Sequence, residues 1–371
     1  MTKSLAKTLE GRILTPGGWV AGRVAFDSHI RSIEPVAGLD DGPVILPGFI
    51  DLHCHGGGGA DAMEGEASIR TLARTHARHG TTSLLATTMT SPVEEIETAL
   101  DGAGRVIAGR RPGEARVLGV HLEGPFISPD RLGAQPPYAI PADLARMADF
   151  CDRADIRVVT WAPEADPDGS LQAFLAARDI RVQLGHSSCD YETAAEAFSR
   201  GVDGVTHMFN AMTALHHRAP GIVGAALAHA EHAELIPDLL HVHPGAIRAA
   251  LRAIPSLYAV TDATAASGMP DGDYRLGRHT VRKCGNGVRL DDGTLAGSCL
   301  TMDQAFANLV AIGLAPEEAS RRTSTLAADY LGLADRGRLA PGAWADIVVL
   351  DAGLRVTSVH VEGESIDLDH A

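Results

Sequence analysis

The segment FIDLHCHGGGGADAMEG, residues 49–65, contains the pattern that decides the fold. An apolar run ends there in two histidines one residue apart, His53 and His55, and opens onto four glycines. Side chains two residues apart in a strand point to the same side, so both imidazoles face one way and Cys54 faces the packed side. The pair fits metal ligands at the mouth of a catalytic barrel, and it also fits two ordinary histidines beside a flexible turn. The surrounding sequence distinguishes the two.

Apolar runs alternate with helical stretches through the middle of the chain, which is typical of repeated βα units. The candidate strands are FIDLHCH, TTSLLATT, RVLGVHLEG, IRVVTWAPE, IRVQLGHS, GVTHMFNA, LIPDLLHVH and LYAVTDATA. Eight strands of this kind predict an α/β fold, a closed (β/α)8 TIM-type barrel. We assign this barrel to residues 47–336.

The two chain ends have a different pattern. Residues 1–46 and 337–371 contain short β-like runs separated by turn signals such as PGG and APG. Neither end is long enough to bury a core of its own. We therefore predict that both ends pair into one small β-sandwich domain beside the barrel.

Composition excludes several classes of partner. The net charge of the 371-residue chain is −15, without a long basic run, so neither nucleic acid nor an anionic membrane surface is an expected partner. The apolar runs are shorter than the ~18 residues that cross a bilayer, and the first residues lack the apolar region of a signal peptide. The five cysteines are scattered and form no C-x-x-C motif, which indicates reduced thiols in a cytoplasmic protein.

Several predicted strands end in side chains that bind metals or transfer protons. They are His53, His55, Glu123, His186, His207 and Asp262. One such residue alone is more often structural. Six at the same end of successive strands favour a functional site, because those ends meet at the barrel mouth and unpaired buried polar groups are costly. Imidazole and carboxylate donors suit Zn²⁺ and related divalent ions.

Lysine usage restricts how two ions could be bridged. Only three of the 32 basic residues are lysines, and Lys283 is the only one beyond position 7. It falls in a segment, RKCGNG, that we interpret as a loop after the last strand. A carbamylated lysine after a middle strand, a common bridge in two-ion hydrolases, is therefore excluded. Glu123 becomes the natural bridging or shared ligand.

The motifs HCHG, HLEGPF, LGHS, THMFNAM, RAPG and VTDAT follow one another in this order. With them the chain resembles the amidohydrolase superfamily, and within it the N-acetylglucosamine-6-phosphate deacetylases. The resemblance extends from PGFIDLHCHG (47–56) through AGSCLTMDQA (296–305) to GRLAPGAWADIVVLD (337–351). It implies metal-dependent hydrolysis of the acetamide of N-acetyl-D-glucosamine 6-phosphate to glucosamine 6-phosphate and acetate.

The resemblance also implies roles for individual residues. The implied ligands are Glu123, His186 and His207 for one ion and, at positions that hold a second ion in some members, His53 and His55. One or two divalent ions per subunit are expected, and Zn²⁺ is the expected metal. Asp262 matches the general base, which accepts a proton from the metal-activated water and later donates it to the leaving nitrogen. His121 or His241 would help to polarise the carbonyl group.

The sugar contacts implied by the resemblance lie in several loops. They are Ala134, Gln135, Asn210, Ala211, Arg218, His241, Leu295, Ala296 and Gly297. Arg218 matches an arginine that binds the sugar phosphate from the neighbouring subunit, which implies a homodimer. Two positions depart from the family: many members carry His in place of Gln135, and a DGxH stretch where this chain reads DLLH (238–241).

Other readings remain open at this point. The substrate could be a different N-acetylated amino-sugar phosphate, such as N-acetylgalactosamine 6-phosphate. N-acyl-D-amino acid deacylation and cyclic-amide opening are disfavoured by HLEGPF and THMFNAM, and the second also by the missing lysine. A catalytically inactive scaffold would be expected to have lost a ligand or Asp262, and none is lost.

Four further histidines have simpler interpretations. His76 and His79 lie on a predicted helix, and we expect both at the surface. His216 and His217 flank Arg218, where an anion-binding role and a solvated loop are about equally consistent with the sequence.

Overall fold

The structure is a computed structural model that describes residues 7–369. Its strands are β1 (Lys7–Thr15), β2 (Gly18–Phe26), β3 (Ile30–Pro35), β4 (Val44–Pro47), β5 (Phe49–Cys54), β6 (Gly56–Gly57), β7 (Ala60–Asp61), β8 (Thr81–Thr87), β9 (Arg116–Glu123), β10 (Ile156–Trp161), β11 (Arg181–Leu184), β12 (Gly204–Val205), β13 (His232–Leu235), β14 (Ser256–Ala259), β15 (Gly272–Leu276), β16 (His279–Cys284), β17 (Gly287–Arg289), β18 (Ile347–Leu350), β19 (Val356–Val361) and β20 (Glu364–Ser365). Its α-helices are α1 (Glu66–Arg78), α2 (Val93–Ile107), α3 (Leu144–Arg153), α4 (Ser170–Ala176), α5 (Tyr191–Ser199), α6 (Gly221–His229), α7 (Pro244–Ala253), α8 (Met302–Ala311), α9 (Pro316–Ser320) and α10 (Leu326–Tyr330).

Eight parallel strands form the barrel. Six of them make one sheet in the order β12-β11-β10-β9-β8-β5, and β13 and β14 make a parallel pair. The backbone N–H of Met208, beyond β12, donates to the carbonyl of Glu234 in β13 at 2.8 Å. The N–H of Asp262, beyond β14, donates to the carbonyl of His53 in β5, also at 2.8 Å. These bonds close the circle, and the predicted (β/α)8 fold is confirmed.

The sequence forms these elements because both faces of each barrel strand are covered. All residues of β5 and β8 are buried, as expected of parallel strands between a barrel interior and surrounding helices. Helices such as α2 cover the strands with one apolar face; the buried side chains of α2 include Ile96, Leu100 and Ala103, spaced three and four residues apart. Within residues 7–369, no helix has the length and apolar composition needed to span a bilayer.

The predicted position of the seventh barrel strand is wrong. The apolar stretch LIPDLLHVH (235–243) was predicted as a strand, whereas β13 covers His232–Leu235 and the residues after it form a loop. In that loop the Asp238 carboxylate accepts the backbone N–H groups of Leu240 and His241, at 2.9 and 2.8 Å, and so fixes a turn. The true strand was missed because its central residue, Glu234, is charged.

A second correction concerns the segment after the last barrel strand. Strands β15, β16 and β17 form an antiparallel three-stranded sheet there, which the sequence did not predict. Lys283, expected in a loop, lies in β16 and pairs with Gly272 of β15. This small sheet encloses its own core of Met89, Leu276, Val281 and Val288 near the barrel mouth.

The two chain ends meet in one seven-stranded sheet, in the order β20-β19-β18-β4-β1-β2-β3. Strand β4 is the junction, since it pairs in parallel with β1 and antiparallel with β18. The sheet has a separate apolar core that includes Val24, Phe26, Ile45 and Ile347. A small β domain built from both ends is therefore present, as predicted. The exact boundaries at residues 46/47 and 336/337 stay a prediction.

Glu362, in the turn between β19 and β20, ties this sheet to the barrel. Its carboxylate accepts two hydrogen bonds of 2.8 Å from Arg116 in β9 and one of 2.6 Å from Arg336. Burial opposes ionisation, but the bonds from Arg116 and Arg336 prevail and lower the pKa of Glu362 to about 2. The ionised carboxylate is therefore the stabilising form.

We expect Glu362→Gln to lower the free energy of unfolding by about 2 kcal/mol at neutral pH. Because the folded-state pKa is depressed, the contribution is fully present above the ordinary value of 4.5 and is lost as pH falls through about 2. Denaturant unfolding at several pH values should therefore show the two proteins converging in acid. Glu10→Gln, which breaks only the exposed pair with Arg23, is the matched control. Equal stability of wild type and Glu362→Gln at pH 7 would refute the role.

Candidate metal centre and active site

The carboxyl ends of the barrel strands bring Glu123, His186 and His207 together. The Oε1 atom of Glu123 lies 3.1 Å from Nε2 of His186 and 3.1 Å from Nε2 of His207. The two imidazole Nε2 atoms are 3.0 Å apart. We call these three residues the first ligand group; their ligand atoms all lie within 4.8 Å of one another.

His53, His55 and Asp262 form a second ligand group beside the first, again with ligand atoms within 4.8 Å. Nε2 of His55 lies 3.2 Å from Oδ1 of Asp262, and the Nε2 atoms of His53 and His55 are 3.2 Å apart. The other oxygen of Glu123, Oε2, lies 3.1 Å from Nε2 of His55. Glu123 therefore directs one carboxylate oxygen to each group.

The chemistry of these donors fits divalent metal ions. Nδ1 of His186 lies 2.9 Å from the carbonyl oxygen of Arg131, which only accepts, so this nitrogen carries the proton and Nε2 presents a lone pair. Nε2 lone pairs directed at an anionic carboxylate repel it unless positive charge lies between them. Imidazole nitrogen with carboxylate oxygen is a donor set that Zn²⁺ and similar ions accept.

Backbone strain accompanies this arrangement. His186, His207 and Asp262 have φ values of +47°, +29° and +50°, in the region that non-glycine residues rarely adopt. Such conformations cost about 1–3 kcal/mol each and persist where the surrounding structure imposes them. Strain at three strand ends, each carrying a candidate ligand or base, indicates a functional constraint.

The electrostatics indicate a demand for positive charge. Burial disfavours a charged His55 ring, but hydrogen bonds with Asp262 and Glu123 outweigh it and raise the pKa of His55 to about 9. Burial likewise opposes the charge on Glu123, yet His53 and the neighbouring imidazoles hold the pKa of Glu123 well below its usual value. Anionic carboxylates at this position thus require either protonated imidazoles or bound cations.

A cavity of about 250 Å³ opens above the two groups. Its wall includes Glu123, His186, His207, His55 and Asp262, together with the predicted substrate residues Ala134, Gln135, Asn210, Ala211, His241, Leu295 and Gly297. His53 is fully buried behind His55 and does not line it. Residues from several loops therefore converge on one space next to both ligand groups.

Comparison with known proteins agrees with this geometry. The family model described as "Amidohydrolase family" matches residues 44–366. The chain belongs to the amidohydrolase family. This amidohydrolase is 39% identical to N-acetylgalactosamine-6-phosphate deacetylase of Escherichia coli O157:H7, over 95% of this chain and 97% of that protein. It is 37% identical to N-acetylglucosamine-6-phosphate deacetylase of Bacillus subtilis (strain 168), over 96% of this chain and 94% of that protein.

A solved structure resembles the amidohydrolase over nearly its whole length. It is a mutant of N-acetyl-D-glucosamine-6-phosphate deacetylase from Mycobacterium smegmatis in complex with N-acetyl-D-glucosamine-6-phosphate. The TM-score is 0.89 at 31% sequence identity, covering 98% of this chain and 100% of that one. The likeness to deacetylases noted in the motifs is thus confirmed.

Two of the predicted sugar contacts, Ala296 and Arg218, do not line the cavity of their own chain. Ala296 is completely buried beneath Leu295 and Gly297. Arg218 lies on an exposed loop, where its guanidinium donates to Nε2 of His217 at 2.7 Å. A contact from Arg218 to the substrate would therefore have to be made in another subunit, and it stays a prediction.

Both departures from the family pattern have a structural explanation. Gln135 is buried; its Nε2 donates to Oε2 of Glu123 at 2.5 Å, and its Oε1 accepts the N–H of Thr90 at 2.7 Å. In the DLLH stretch Leu239 has a φ of +64°, where a glycine would fit without strain. The turn is nevertheless kept, and Asp238 holds Nδ1 of His241 at 2.7 Å. His241 therefore remains in the cavity wall.

Several residues lie where their sequence patterns did not predict them. His76, expected at the surface, is fully buried, with Nε2 2.8 Å from the carbonyl oxygen of Gly56. His121 is buried between the carbonyl of Leu52 and the hydroxyl of Thr160, so of the two candidate polarising histidines only His241 faces the cavity. The missed residues near the site are Met89, Gly133, Leu276 and Thr294 in the wall and Glu234 beneath it. No motif marked them, because they are apolar, small or within a short strand.

Proposed function

We propose that this amidohydrolase hydrolyses the acetamide of N-acetyl-D-glucosamine 6-phosphate, giving glucosamine 6-phosphate and acetate. The observation that carries the proposal is Glu123, which presents one oxygen to each ligand group at the floor of the cavity, with Asp262 beside it. The names of the Bacillus subtilis relative and of the Mycobacterium smegmatis complex support this substrate. Acetate release from the pure sugar phosphate, assayed together with the zinc content, tests it.

Metal binding and proton transfer in amide hydrolysis fall to different residues of the cavity. Glu123, His186 and His207 would hold a divalent ion, which when bound lowers the pKa of a coordinated water towards ~7. Asp262, which lines the cavity, accepts the proton that the attacking water loses. The same carboxyl then donates this proton to the sugar nitrogen, so that the amine can leave. Without that donation the departing group would be a strongly basic amide anion.

His241 is placed to act on the carbonyl oxygen. Burial disfavours its charged form, but the hydrogen bond and charge of Asp238 prevail and raise the pKa of His241. A protonated ring in the cavity wall can donate to the oxygen as negative charge develops there. The Asp238 contact at Nδ1 fixes the orientation of the ring.

The sugar phosphate needs a cation that this chain does not supply to its own cavity. Among the described residues in the wall there is neither lysine nor arginine. Phosphate recognition in proteins relies on charge-assisted bonds, most often from arginine. Arg218 is exposed on its loop, so we propose a homodimer in which Arg218 of one subunit binds the phosphate in the cavity of the other.

We expect Arg218→Ala to raise KM for the sugar phosphate about 10- to 100-fold, with a smaller change in kcat, because one charged hydrogen-bonding group is lost. Unphosphorylated N-acetylglucosamine should be hydrolysed equally by both proteins. Arg31→Ala, which removes an exposed arginine from the terminal sheet, serves as the control. Steady-state kinetics of acetate release provide the measurement, and an unchanged KM would remove Arg218 from phosphate binding.

We further propose Zn²⁺ as the metal, with one or two ions per subunit, and a cytoplasmic location. The donor set favours Zn²⁺ among the common divalent ions. All five cysteines are free thiols, which suits a reducing compartment.

The second candidate substrate is N-acetylgalactosamine 6-phosphate. The Escherichia coli relative named for it is 39% identical over 95% of this chain. The two sugars differ only in the orientation of one hydroxyl. Comparing kcat/KM for both on one preparation separates the candidates, and absence of acetate release from either would favour an inactive scaffold.

A further inference from the structure

We propose that Glu234, at the third position of β13, is a positioning residue for the metal centre: it orients His53 towards the second ligand group and braces His207 in the first. The inference rests on the proposed function, because it concerns the ions that this function requires. Neither the motifs nor the family resemblance pointed to Glu234.

The contacts of Glu234 reach both ligand groups. Its side chain is completely buried, and Oε2 lies 2.8 Å from Nδ1 of His53. The same oxygen accepts the backbone N–H of His207 at 3.2 Å. One carboxylate oxygen beneath the cavity therefore contacts a member of each group.

The bond to His53 determines which ring nitrogen is available to a metal. An ionised carboxylate only accepts, so Nδ1 of His53 must carry the proton. Nε2 is then left with its lone pair, and it lies 3.2 Å from Nε2 of His55 and 3.5 Å from Asp262 Oδ1. A carboxylate that fixes a ligating imidazole in this way also raises its basicity.

The bond to His207 acts on the backbone. His207 has a φ of +29°, a strained value that needs support from its surroundings. The N–H of His207 points to Glu234, and the next N–H, that of Met208, donates to the Glu234 carbonyl at 2.8 Å. The side-chain carboxylate and the backbone carbonyl of Glu234 thus both stabilise the turn that contains His207.

Packing alone would not require a carboxylate at this position, because an apolar side chain of similar size would avoid the cost of burying a charge. Such a side chain would, however, leave Nδ1 of His53 and the backbone N–H of His207 without their acceptor. The ion pairs of Glu234 within the described chain are with imidazoles, His53 at 2.8 Å and His121 at 3.8 Å, rather than with lysine or arginine. The charge is therefore directed at the histidines of the centre.

The experiment compares Glu234→Gln with the wild-type holoenzyme, using the number of zinc ions per chain and zinc affinity from chelator competition as readouts. In Glu234→Gln we expect the more weakly bound zinc ion to bind about 10- to 100-fold less tightly than in the wild type. This is the usual effect of losing a carboxylate that hydrogen-bonds to a metal-ligating histidine. Glu234→Asp keeps the charge but not the reach, and should show the same loss in a protein that folds. Glu114→Gln is the matched control, since Glu114 is equally buried but pairs with Arg70 and Arg74 away from the centre.

A double variant tests whether Glu234 acts through His53. If it does, His53→Ala/Glu234→Gln will bind zinc at the second group no more weakly than His53→Ala alone. Unchanged zinc affinity in both Glu234 variants, or a wild type that never binds more than one ion, would overturn the inference. If the wild type binds two ions but releases no acetate from any sugar phosphate, the proposed function fails while the role of Glu234 stands.

Discussion

Asp262→Asn is expected to reduce acetate release by about 10⁴-fold, because in the proposed mechanism the carboxyl group acts both as base towards water and as acid towards the leaving nitrogen. Asparagine can do neither, since its carboxamide is too weak a base and too weak an acid near neutral pH. The first ligand group does not include Asp262, so the ion of that group should remain bound. Turnover should therefore be lost while at least one zinc ion per chain, that of the first ligand group, remains; both are measured on the same preparation.

Asp166→Asn supplies the control for losing a buried carboxylate elsewhere. Asp166 is also buried, but it accepts the N–H groups of Leu171 and Gln172 at the start of α4, outside the cavity wall. This variant should lose stability and keep the rate of the folded fraction. Wild-type turnover in Asp262→Asn would remove Asp262 from the chemistry.

Glu123→Gln should have the other large effect, because Glu123 contributes to both ligand groups. We expect it to lose both ions and to retain less than about 0.1% of the wild-type activity, since the ionised water is lost with the metal. His186→Ala, by contrast, removes a donor from the first group only and should still bind an ion at the second. Inductively coupled plasma mass spectrometry of the two variants measures this difference. Equal metal loss in both would contradict a shared carboxylate.

The barrel and those candidate site residues that lie at strand ends could be predicted, because both follow a simple rule. Strands β5 and β9 are rich in apolar residues, and His53, His55 and Glu123 lie at their carboxyl ends or directly after them. An apolar run that stops at a ligating side chain marks both the strand and its functional end. The pairing of the two chain ends was also predictable, since neither end could bury a core alone.

The remaining part depends on contacts between distant residues. Glu234 interrupts an apolar run and so hid β13, although His53, 181 residues away, provides its carboxylate with a buried hydrogen-bond partner. His76 looks like an exposed helical residue, but the carbonyl of Gly56 accepts its ring N–H inside the fold. Leu239 occupies a position with a positive φ that favours glycine, yet the hydrogen bonds accepted by Asp238 stabilise the turn there. In each case the tertiary structure overrides the local pattern.

The most direct test of the account is chelation of the purified protein followed by stepwise return of zinc, with acetate release from N-acetylglucosamine 6-phosphate measured at each step. If Glu123, His186 and His207 share an ion that activates water, activity should disappear on chelation and return in proportion to zinc bound. His207→Ala should not recover under the same treatment. Full activity in the chelated, metal-free protein would contradict the account.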